Sequence, residues 1–197
     1  MRRTLYLLAA VLAGAVSTAS AQAHTPVLVA HVDTAASNPY GVLVHVSGLL
    51  DSPEWLEQLN KGYTIELHWT VQLWKKGGFL PSAQAPTEWT SLVQAPPGMD
   101  RYQYTERVPG KRLDFSTLDS LKAYLSVDVG PPAPRNRLAA GGWYYVVTVD
   151  IAALTQEQLD DQANGTSGGL LGVLRGFVNG SGLKLPLQKR VELPVRK

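Results

Sequence analysis

The side chains able to do metal or proton chemistry here are few: four histidines, 16 aspartates and glutamates, and no cysteine. His24 has the most pointed setting. The tripeptide Ala21-Gln22-Ala23 before it fits a small-x-small cleavage pattern. Cleavage there makes His24 the first residue, with an amine and an imidazole on one residue, a pair that suits Cu(II) in a square-planar arrangement. A second histidine would complete a brace, and His31, His45 and His68 are the candidates. His45 and His68 fall on the less apolar faces of predicted strands. The metal set of this alternative reading is therefore His24, His45 and His68, with copper as cofactor. The plainer reading has no cofactor: His24 begins a frayed terminus and the others are ordinary strand histidines.

Other motifs carry less chemistry. Gly165-Thr166-Ser167-Gly168-Gly169 has the spelling of a nucleophile elbow. That elbow needs a strand before it and a helix after, with its histidine later in the chain. A predicted helix precedes it instead, and no histidine follows His68. Asp160-Asp161 and the group Asp51, Glu54 and Glu57 are the paired carboxylates. The latter group lies in or beside a helix's first turn, where the helix dipole accounts for it. Gly168, Gly172, Gly176 and Gly180 recur every four residues among apolar ones. So much glycine disfavours a helix in water, so a loop or twisted hairpin is expected. Its Leu170, Leu171, Leu174 and Phe177 form an apolar segment suited to docking a partner. Asn164-Gly165-Thr166 and Asn179-Gly180-Ser181 read as turns.

The elements that must position these residues are mainly strands. From Tyr63 to Leu73 every odd position is apolar and every even one polar, which predicts a long strand with one buried face. Similar alternation runs through Tyr40, Val42, Val44 and Val46, and from Trp143 to Ile151. Shorter strands are expected at 27–32, 88–93, 102–108 and 188–195. Three short helices have legible ends. Ser52-Pro53 opens the first and Gly62 closes it. Ser116-Thr117-Leu118-Asp119 opens the second. Thr155-Gln156-Glu157-Gln158 is a capping box, with Leu154 and Leu159 placed as a staple. This pattern predicts a mainly β fold, an antiparallel β-sandwich of immunoglobulin-like general architecture with two or three short helices.

The first 23 residues read as a cleavable signal peptide: Arg2-Arg3, an apolar run from Leu5 to Val16, then small residues. That run is too short for a membrane-spanning helix, which takes ~20 residues. Cleavage after Ala21 or after Ala23 fits. The remainder, 24–197, is expected to form one domain with a glycine-rich segment at 164–182. The net charge of +2 is carried by Arg2 and Arg3, so the mature chain is near neutral and has no polybasic footprint for nucleic acid. The expected setting is periplasmic or secreted, with no transmembrane segment in the mature chain. Without cysteine, disulfides and thiolate ligands are excluded.

One resemblance bears on the whole. A short helix ending at Gly62 leads into the strand Tyr63–Leu73, which ends in Trp74-Lys75-Lys76. Tyr102 and Tyr104 follow, then Phe115-Ser116-Thr117-Leu118-Asp119-Ser120-Leu121, and last Trp143-Tyr144-Tyr145 and Leu154-Thr155. Over residues 41–160 this order resembles a family of exported bacterial domains of unknown function, often encoded beside nitrogen-regulation-type sensor kinases. The resemblance implies an envelope β-domain and no activity, and it covers nothing after Asp161. The expected function is non-catalytic: a protein-interaction or ligand-binding domain whose partner is another envelope protein.

Overall fold

The structure is a computed structural model that describes residues 24–33, 41–77, 82–107, 110–131, 142–163 and 183–193. The predicted signal peptide and the glycine-rich segment, with Leu170, Leu171, Leu174 and Phe177, lie outside the described residues. The described chain is mainly β, with two antiparallel sheets and three helices.

Two twelve-residue strands form the centre. β3 (Thr64–Lys75) and β8 (Trp143–Leu154) pair antiparallel along their whole length, from Thr64 opposite Leu154 to Lys75 opposite Trp143. Because side chains alternate along a strand, this register stacks Ile65, Leu67, Trp69, Val71 and Leu73 beside Ala153, Ile151, Val149, Val147 and Tyr145. All ten are buried, each large one contributing about 1.5–3 kcal/mol of transfer free energy. The sheet continues on one side through β5 (Thr87–Gln94), β6 (Tyr102–Glu106) and β7 (Arg112–Phe115), and on the other through β9 (Lys184–Glu192). A two-residue strand, β4 (Ser82–Ala83), pairs with the end of β3.

The second sheet is a hairpin of β1 (Val27–Val32) and β2 (Val42–Ser47). Its Leu28, Ala30, Val42, Val44 and Val46 join the inward residues of β3 and β8 in one core. Val44 and Val129 exchange two backbone hydrogen bonds of 2.9 Å at the free edge of β2. The strands thus divide two and seven, whereas an immunoglobulin domain divides them four and three. What the two share is a pair of facing antiparallel layers.

The helices close the layers as their ends predict, with one exception. In α1 (Pro53–Asn60), Ser52 is the N-cap residue but its hydroxyl makes no capping bond. The other end is a full Schellman turn: Gly62 has φ 84°, its N–H reaches Leu59 O, and Tyr63 N–H reaches Gln58 O. In α2 (Leu118–Leu125), Thr117 Oγ1 accepts from Ser120 N, and Leu121 is fully buried. In α3 (Gln156–Ala163) the capping box closes both ways, Thr155 N to Gln158 Oε1 at 2.9 Å and Gln158 N to Thr155 Oγ1 at 3.3 Å. Leu154 and Leu159 meet as the predicted staple, in a small cluster with Ala152 and Leu92 on the outer face of the large sheet.

Candidate ligand cleft

The fold separates the histidines. His31 and His45 share the outer face of the hairpin, where Asp128 joins them. His45 Nδ1 donates to Asp128 Oδ1 at 2.8 Å, and His31 Nε2 lies 3.4 Å from Oδ2. The reason is the backbone bridge between Val44 and Val129, which sets residue 128 beside residue 45. His68 is on the outer face of the seven-stranded sheet, with the core between it and the hairpin, and hydrogen-bonds Thr90 Oγ1 at 3.2 Å. His24 stands before β1, exposed. The predicted set of His24, His45 and His68 is therefore not brought together. Among the described residues, no group of three histidine, aspartate or glutamate side chains is arranged to hold a metal ion.

His24 instead borders a cleft of about 170 Å3 that the sequence does not announce. Three segments meet there: His24, Thr25 and Pro26 before β1, Ser52 to Trp55 at the start of α1, and Leu183 to Leu185 at the start of β9. They meet because the hairpin packs against β9 and α1 packs across β3 and β8. Pro26 and Trp55 are buried and make an apolar wall, joined by Leu183 and Leu185. His24, Glu54 and Lys184 bring a base and both signs of charge to the same space. A concave site that is mostly apolar, with a few converging polar groups, is the usual form of a small-ligand site. In the sequence Glu54 stood out only as one of the carboxylates Asp51, Glu54 and Glu57, and Lys184 did not stand out at all. Glu54 has a sufficient dipole explanation, and nothing local places the start of β9 beside the start of β1.

The other carboxylates disperse. Asp51 pairs with Lys122 at 2.8 Å and Glu57 with Lys61 at 2.6 Å, while Asp160 accepts from Gln156 Nε2. Glu66 is different: it is 2 % exposed, on the outer face of β3, and its Oε2 has no hydrogen-bond partner. Arg107 Nη2 is 3.5 Å from that oxygen. Burial pushes the Glu66 pKa up, opposed by the charges of Arg107 and His68. No described cavity opens onto it. A second, interlayer cavity touched by His45, Trp69, Ser91, Tyr104 and Tyr124 measures about 20 Å3, room for a single water. At its base Tyr104 donates to Ser91 Oγ at 2.9 Å, and burial raises the phenol's pKa.

No family model, no curated protein and no solved structure matches the chain.

Proposed function

We propose that the protein works outside the cytoplasm, after loss of its first two dozen residues, as a domain that binds rather than catalyses. Its ligand is small and charged and occupies the cleft between His24, Glu54 and Lys184. The observation that carries this reading is the make-up of that cleft: an apolar wall of Pro26, Trp55 and Leu185, with opposite charges at its rim. The same proposal takes the setting to be the cell envelope and the reader of the ligand-bound state to be another envelope protein, such as the sensory part of a membrane kinase; this part rests on the order of motifs over residues 41–160 alone.

The test is native mass spectrometry of protein purified gently from its own envelope. A non-covalently bound species is expected on the wild type. Lys184→Glu should lose it, and Arg112→Glu, an equal charge reversal on the opposite edge strand, should keep it. Absence of any bound species from the wild type, or its retention by Lys184→Glu, contradicts the reading.

A further inference from the structure

We propose that the ligand of the cleft is an apolar α-amino acid of about leucine's size, its carboxylate seated at the N-terminus of α1 and its ammonium against Glu54. This rests on the binding reading above and names its ligand.

The carboxylate seat is carried by Ser52. It is the N-cap residue of α1 and lines the cleft at 6 % exposed, yet its hydroxyl makes no capping bond. Among the described residues that hydroxyl has no other partner. An N-cap hydroxyl ordinarily accepts from the second or third N–H of its helix; here it leaves them uncapped. Pro53 has no N–H to give, and the first helical bond runs from Leu56 N to Ser52 O at 3.1 Å. The N–H groups of Glu54 and Trp55 come before that bond, and both residues border the cleft. A hydroxyl and two amides at the positive end of a helix dipole make a seat for a carboxylate. Lys184 brings a full positive charge to the same cleft from the start of β9. An ammonium has three donors, so a contact within the fold leaves others for a ligand.

The ligand's body follows from the wall. Pro26 and Trp55 are buried there, and Leu183 and Leu185 complete the apolar lining. The cleft's 170 Å3 compares with the roughly 150 Å3 of an apolar cavity that takes up benzene, so a branched aliphatic side chain fits.

The ammonium follows from Glu54. Its side chain borders the cleft beside the carboxylate seat. A ligand bearing only a carboxylate would meet that like charge, which costs binding energy. An ammonium on the adjacent carbon turns the repulsion into attraction.

The experiment is calorimetric titration of the exported protein with three probes of similar shape. They are L-leucine, isocaproate, which lacks the ammonium, and isoamylamine, which lacks the carboxylate. L-Leucine should bind as a single equivalent, and the other two about tenfold more weakly or worse, since each forfeits charge-assisted hydrogen bonds. Ser52→Ala and Lys184→Glu should each weaken L-leucine about tenfold or more, and Arg112→Glu should not. Glu54→Gln should narrow the gap between L-leucine and isocaproate. Ser52→Ala should leave the urea midpoint of the ligand-free protein in place, because no capping bond is lost. No binding of L-leucine, equal binding of either truncated probe, or full affinity in Ser52→Ala overturns the proposal. If L-leucine fails while native protein carries another species that Lys184→Glu loses, the amino-acid assignment is wrong and the binding reading stands. If Lys184→Glu keeps every bound species, the binding reading itself has failed.

Discussion

Replacing Glu66 by glutamine is expected to stabilise the protein at neutral pH. The wild-type side chain is 3 % exposed, and its Oε2 lacks a hydrogen-bond partner. The opposite charge beside it, Arg107, stands 3.5 Å away with a side chain 37 % exposed. Water screens such a pair, so the attraction is worth about 0–1 kcal/mol. Keeping a charge buried without full partners costs several kcal/mol. Exchanging it for a neutral side chain of the same shape should therefore gain about 1–3 kcal/mol, less whatever the new amide loses by its own burial. The pH dependence has a definite sign. Burial raises the Glu66 pKa, so the native state keeps the proton to a higher pH than the unfolded chain does. Stability falls as pH rises from the unfolded pKa through the native one. Below the unfolded value both states are protonated and the wild type carries no penalty. Urea unfolding followed by tryptophan fluorescence should show Glu66→Gln ahead near neutrality, with the gap narrowing toward about pH 4. A variant less stable than the wild type at neutral pH would refute the reasoning, because the pairing with Arg107 would then outweigh the desolvation.

Leu121→Ala should cost about 3–5 kcal/mol in the same urea assay, since Leu121 is the fully buried residue of α2 and its loss leaves a cavity; a cost under about 1 kcal/mol would mean that the helix is not docked through it. Gly62→Ala should cost about 1–2 kcal/mol, because φ 84° suits glycine and nothing lies within 4 Å of an added Cβ to compensate. An unchanged unfolding midpoint would argue against the Schellman turn at the end of α1.

The fold was legible where a single period governed a long run. The alternation from Tyr63 to Leu73 marked β3 because its odd side chains enter one core and its even ones do not, and Thr155 to Gln158 spelled out a cap that forms as written. β7 was missed because its four residues alternate charge with Leu113 and Phe115, too short a run to separate from the Gly110-Lys111 turn before it. β9 begins at Lys184 rather than at Gln188, since pairing with β8 draws in Leu185 and Leu187 and an edge strand tolerates Pro186. The site was only half legible. His24 could be singled out from the cleavage pattern, but its neighbours Glu54 and Lys184 are about 30 and 160 residues away in sequence. They arrive through the packing of α1 and β9, a tertiary event that no local pattern encodes. The core between the two sheets separates His45 on the hairpin from His68 on β3, which a count of histidines had grouped.

The central claim, a binding domain exposed outside the cytoplasm with its cleft beside the mature N-terminus, is tested most directly by the intact mass of the protein recovered from its native compartment. The account predicts a chain beginning at Gln22 or His24. A chain that still carries Met1 would contradict export.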